Sequence, residues 1–175
     1  MEKITKKHGM TFHCDAARGL NAAAALDMDP AELFGPFQTV NLCISKGMGC
    51  PIGSVLVGSH EYMRVARTLR KMLGGGMRQT GIIASCGLVA LEDWRERLNL
   101  DNNNAKNMAA KMAKVKGIKI NPSVVQSNIF RFGIDHPTLK PSDVCAKLKE
   151  QHKILAMPGF KNEDIRFVTH RDVDA

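Results

Sequence analysis

Residues 39–54 read TVNLCISKGMGCPIGS. The short apolar run 39–44, β-branched at both ends, predicts a strand that delivers Ser45, Lys46 and Gly47 at its carboxyl end. Gly49, Pro51 and Gly53 predict a turn, and 54–57 a further strand. Upstream, the mixed apolar segment 10–14 runs straight into Asp15 and predicts another strand, followed by an Ala-rich helix over 16–26. Asp29, Pro30 and Glu32 carry the start signal of a short helix that stops near Gly35 and Pro36. Strand, helical crossover and strand together predict an α/β layer. Ligands of such layers sit outside the carboxyl ends of the strands. This arrangement can bring Asp15 and Lys46 to one crevice.

Beyond residue 58 the spacing of Tyr62, Val65, Ala66, Leu69 and Leu73 predicts an amphipathic helix over 59–73. Three glycines, Gly74 to Gly76, interrupt it. Helices are expected over 80–97 and 102–115. The texture then changes to short strands at 117–120, 127–133, 153–156 and 165–168, with a helix over 142–152. The expected organisation is a larger α/β domain over 1–98, and a linking helix with a small α+β domain over 99–175.

The chain has 175 residues, 44% hydrophobic and 24% charged, which are ordinary globular values that exclude disorder. No run of 18 apolar residues occurs, and the first ten residues lack the apolar core of a secretory signal, so no membrane partner is expected. The net charge of +8 suggests an anionic partner, from nucleic acid to a phosphate-bearing cofactor. Aromatic residues are only 5%, too few for the base stacking of a single-strand binder. Cys14, Cys43, Cys50, Cys86 and Cys145 are odd in number and form no CxxC, which predicts a reducing compartment, no disulfide framework and no structural metal site.

Lys46 is flanked by Ser45, Gly47 and Gly49, small neighbours that let a bulky ligand approach the backbone. A desolvated lysine has a depressed pKa, and its neutral amine can form a Schiff base. The same residue also reads as one more basic side chain reaching solvent. Asp15 is suited to hold a proton on a pyridine nitrogen, and equally to cap a helix starting at Ala16. His13, two residues earlier, faces the same side of the strand, either lining a pocket or packing in a core. Arg18, one turn into the expected helix, and Arg166, in the strand 165–168, are suited to a bidentate grip on a carboxylate. Surface arginines are the alternative for both.

Four segments, in order, resemble the threonine aldolase family. His13-Cys14-Asp15-Ala16-Ala17-Arg18 with Asn21-Ala22 is similar to its HxDGAR…NA segment, and residues 40–54 to its lysine segment. Residues 70–79, RKMLGGGMRQ, resemble its glycine-rich segment. Residues 166–173, RFVTHRDV, resemble its C-terminal RxVTHxDV segment. The resemblance implies part of the large domain of a fold type I pyridoxal-phosphate enzyme, followed by a small α+β domain. Lys46 is then the cofactor's covalent partner, Asp15 the partner of its ring nitrogen and His13 a further cofactor contact. Lys71 or Arg78 lies near its phosphate, and Arg18 and Arg166 bind the substrate carboxylate. The implied reaction is cleavage of L-threonine or L-allo-threonine to glycine and an aldehyde. The implied assembly is a cytoplasmic homotetramer, a dimer of dimers.

Ala16 stands where the family motif has glycine. The resemblance covers only the C-terminal half of a typical member, which implies that the phosphate loop and the ring that stacks on the cofactor lie outside this chain. The expectation is an isolated chain with exposed sheet edges, prone to self-association and impaired in catalysis. Related lyases use the same lysine and aspartate for β-elimination or transamination. A non-catalytic scaffold is a further alternative. The cluster Arg64, Arg67, Arg70 and Lys71 is the feature a nucleic-acid binder would use, but the chain's cations are spread along its length.

Overall fold

A computed structural model describes residues 1–173. The chain forms two compact units, Met1–Leu98 and Asn99–Ala175. The first contains helix α1 (Glu2–Lys7), strand β1 (His13–Ala16), helices α2 (Gly19–Leu26) and α3 (Pro30–Phe34), strands β2 (Thr39–Cys43) and β3 (Ser54–Gly58), and helices α4 (His60–Met72) and α5 (Gly81–Ala90). Helix α6 (Trp94–Met112) begins in the first unit and continues into the second. The second unit adds strands β4 (Ile118–Lys119) and β5 (Ile129–Ile134), helix α7 (Pro141–His152) and strand β6 (Ile165–Val168).

In the first unit the sheet order is β1-β2-β3. β1 runs parallel to β2 with Asp15 opposite Asn41, and β3 returns antiparallel. The parallel pair requires the crossover supplied by α2 and α3. The start of α3 is fixed as its sequence requires, with Asp29 Oδ1 accepting the Ala31 N–H at 2.7 Å and Pro30 in the first turn. Ser59 caps α4 in the same way, accepting from the Tyr62 N–H. The core gathers Leu20, Ala24, Met48, Cys50 and Leu98, with Leu42, Ile44 and Trp94 packed against it. The second unit is an antiparallel sheet, β4-β5-β6. Phe130, Phe132 and Ile165 pack with Ala105, Ala109, Val125 and Cys145, and Phe167 meets both Phe130 and Phe132 edge-on.

Several expectations need correction. Asp15 lies inside β1, and α2 starts only at Gly19 with Arg18 as its N-cap. Asp15 therefore caps nothing, and Arg18 precedes the helix instead of lying one turn into it. A single helix over 80–97 is not formed. Leu91 closes α5, and the Asp93 carbonyl accepts the Arg97 N–H to begin α6, which runs unbroken through the expected gap at 98–101. Leu98 packs in the first core while Ala105 and Ala109 pack in the second, so burial along α6 overrides the polar Asn-rich stretch between them. Residues 153–156 form no strand. Lys153 takes a left-handed conformation (φ 60°) to end α7, and the chain regains pairing only at an isolated bridge between Pro158 and Ile165.

The apolar stripe of α4 has the expected spacing but not the expected burial. Tyr62, Val65 and Leu69 are 42%, 48% and 49% exposed, and every residue of β3 is exposed. No helix among the described residues is long and apolar enough to cross a membrane.

Candidate functional site

Parallel pairing gives β1 and β2 a common carboxyl end. Asp15 is near that end of β1, and Lys46 is three residues past the last residue of β2. The period-2 alternation and the register place His13, Asp15, Thr39, Asn41 and Cys43 on one sheet face, with Cys14, Ala16, Val40 and Leu42 on the other. Ala16 and Val40 are buried, whereas His13 and Asp15 are exposed. Across the ladder, His13 Nδ1 lies 2.8 Å from Thr39 Oγ1.

The lysine turn is held on two sides. Gly53 O accepts the backbone N–H groups of Ile44 (3.1 Å) and Ser45 (3.3 Å), and the Cys50 N–H returns to Ile44 O at 3.0 Å. Met48 and Cys50 are anchored in the core, and Gly47 is buried between Lys46 and Met48. A Cβ on Gly47 would stand 2.8 Å from Leu98 Cδ2 and 2.9 Å from Asn21 Oδ1. Only a glycine fits this wall without a shift. With Gly47, Met48 and Cys50 turned inward, Ser45 and Lys46 are turned outward.

The thiols beside these residues report the local charge. Burial pushes the Cys43 thiol up, but hydrogen bonding to Ser45 and Ser54, with the Lys46 charge added, outweighs it and leaves the thiol below its ordinary value. Cys43 Sγ lies 3.4 Å from Ser45 Oγ. Cys14 is raised, first by burial and then by the negative charge of Asp15. Neither Asp15 nor Lys46 forms an ion pair among the described residues.

Lys71 and Arg78 are exposed, at the end of α4 and in the connection to α5. Lys71 folds over Gly76, where a Cβ would meet its Cδ at 2.5 Å. No hydrogen bond or ion pair among the described residues ties Lys71 or Arg78 to Asp15 or Lys46. Arg18 is half-buried at the N-cap of α2. Arg166 belongs to the second unit, exposed on β6, and lines a groove of about 610 Å³ with Arg131, Phe167 and His170. No group of three or more His, Cys, Asp or Glu among the described residues could hold a metal ion.

Sequence reading missed Thr39, Cys43 and Arg131. For the first two the signal was present. They alternate with Asn41 on the face that Asp15 shares, but only the register reveals it.

The first unit is thus an α/β layer with a carboxylate and an amine toward the common carboxyl end of two parallel strands. The family model for beta-eliminating lyases matches residues 1–134, and the chain belongs to that family. It is 36% identical over 171 residues to low-specificity L-threonine aldolase 1 of Arabidopsis thaliana, covering 98% of this chain and 48% of the relative. It is 33% identical over 171 residues to low specificity L-threonine aldolase of Escherichia coli (strain K12), covering 98% and 49%. Among solved structures, the putative aromatic amino acid beta-eliminating lyase/threonine aldolase from Exiguobacterium sp. superposes with a TM-score of 0.81 at 21% identity, covering 97% of this chain and 49% of that one. A putative L-allo-threonine aldolase from Listeria monocytogenes gives 0.81 at 17%, covering 97% and 48%. The α/β fold is thus that of these lyases, and the chain spans about half the length of the curated relatives it matches.

Proposed function

We propose that this chain carries the lysine-bearing part of a pyridoxal-phosphate lyase that cleaves β-hydroxy-α-amino acids, L-threonine or L-allo-threonine, to glycine and an aldehyde. The observation that carries the reading is the parallel β1–β2 pair, with Asp15 and the Lys46 turn at its shared carboxyl end. The donor set fits the cofactor, since a carboxylate and an amine with no ion pair among the described residues suit opposite ends of one pyridine ring. When bound, the cofactor supplies a sink for the electron pair left at the substrate α-carbon as the Cα–Cβ bond breaks.

The remaining work belongs to the chain's own residues. Lys46 Nζ would be the cofactor's covalent attachment point. The Asp15 carboxylate holds a proton on the ring nitrogen, so charge developing at the α-carbon is stabilised electrostatically. His13, with its ring oriented by Thr39, lines the cofactor face of the sheet. Arg18 and Arg166 hold the substrate carboxylate, which orients the scissile bond. Lys71 and Arg78 serve the cofactor phosphate. The assembly proposed is a homo-oligomer, a dimer of dimers, and the exposed apolar stripe of α4 suits subunit contact. Five free cysteines suit the reducing cytoplasm proposed for it.

The test is an absorbance spectrum after adding pyridoxal phosphate to the purified chain. A band near the visible edge is expected, and its absence from Lys46→Ala assigns it to that amine. No band in the parent chain would reduce it to a non-catalytic fragment of the family. The matched family description favours a second reading, β-elimination at the same site. Pyruvate and ammonia as products, in place of glycine and an aldehyde, would select it.

A further inference from the structure

We propose that Asp164 sets the charge selectivity of the Arg166 groove, by keeping Arg131 neutralised so that a ligand meets one unpaired guanidinium and not two. The proposal deepens the reading above and rests on it for the ligand class, an amino acid bearing a single carboxylate.

β5 and β6 pair antiparallel with Arg131 directly opposite Arg166. Phe130, Phe132, Ile165 and Phe167 take the core face, so both arginines take the other. Like charges directly opposite on neighbouring strands repel, and this pair needs a counter-ion. Asp164 supplies one to Arg131 alone, its two oxygens accepting from Arg131 Nη1 at 2.8 and 3.1 Å. Arg166 forms no ion pair among the described residues.

The counter-ion is itself held. The Gly159 N–H donates to the Asp164 carbonyl at 2.7 Å. A Cβ on Gly159 would overlap the Asp164 carboxylate and stand 3.3 Å from Arg131 Nη1. The chain at Gly159 therefore packs against the Asp164 carboxylate and leaves it little room on that side, while the Arg131 side chain stays half exposed. Arg131 and Arg166 both line the groove, with Met108, Ile154 and Phe167 as apolar wall and His170 as the remaining titratable group, 3.6 Å from Asp172. A monocarboxylate on Arg166 satisfies the one guanidinium of the groove that has no ion-pair partner among the described residues. A second carboxylate on the same ligand finds Arg131 already taken.

The experiment is an NMR titration of the full chain, without cofactor, with acetate and with malonate, following the arginine side-chain signals. Asp164→Asn is expected to raise affinity for malonate relative to acetate by roughly fivefold, the scale of an exposed ion pair. Asp164→Glu should restore the parent ratio, and adding Arg131→Gln to Asp164→Asn should abolish the gain. Arg166→Gln should lose the response to both anions. An unchanged ratio in Asp164→Asn, with Arg166 still responding, overturns the proposal, as does an Arg166 signal in the parent chain that moves with neither anion. The titration needs neither cofactor nor turnover, so failure of the Lys46 reading leaves its result standing.

Discussion

His13 Nδ1 lies 2.8 Å from Thr39 Oγ1, its registered partner across the β1–β2 ladder. Both residues are on the sheet face that carries Asp15, so the bond orients the imidazole beside the candidate carboxylate. Thr39→Val keeps the β-branched shape and removes the bond. The expected cost to stability is small, about 0.5–1 kcal/mol for an exposed hydrogen bond. The informative readout is the His13 ring nitrogen spectrum, which should change tautomer balance in Thr39→Val. An unaltered spectrum would show that the ring is oriented by something else.

Two thiols test the charges at the sheet edge. Cys43 is held below its ordinary value, so its thiolate forms at lower pH, while Cys14 is held above and its thiolate forms at higher pH. Alkylation followed by mass spectrometry, with pH raised from about 7 to 9 across the ordinary thiol range, should label Cys43 first. Lys46→Met should move the Cys43 midpoint upward by removing a nearby cation. The reverse order of labelling would contradict the hydrogen bonding at Cys43 and the burial of Cys14.

Gly47→Ala should destabilise the first unit by about 1–3 kcal/mol, because an added methyl meets Leu98 and Asn21, both almost fully buried. Urea unfolding gives the value. Leu98→Val removes one of the two opposing atoms, so the double variant should lose less than the two single losses added together. Strict additivity would mean that the lysine turn does not lean on this wall.

The exposed stripe of α4 and the exposed strand β3 predict self-association of the isolated chain. Leu69→Glu, at a position 49% exposed, places a charge on that surface without disturbing a core. Sedimentation velocity should show the parent chain associating with rising concentration and the variant shifted toward monomer. A parent chain that stays monomeric throughout would refute the expectation.

The sequence showed most of the element types directly. Gly, Pro and capping residues act locally, so α3 is found where Asp29 and Pro30 announce it, and α4 and α7 start within a residue of the expected positions. The misreadings occurred where local and tertiary signals compete. The helix signal over 16–26 left a cap as the alternative role for Asp15, yet pairing with β2 draws residues 13–16 into a strand. The stretch 98–101 was read as a gap between two helices, yet packing of Leu98 in one core and of Ala105 and Ala109 in the other keeps α6 continuous.

The sequence alone determined that residues 39–54 end a strand with an amine among small neighbours, and that a carboxylate follows an earlier apolar run, because strand-forming and turn-forming preferences reside in the residues themselves. Tertiary structure alone decided that β1 and β2 are adjacent and parallel, that His13 meets Thr39, and that Arg131 faces Arg166 with Asp164 beside it. Those relationships depend on register between segments distant in the chain. A shift of one residue would turn every side chain to the opposite face.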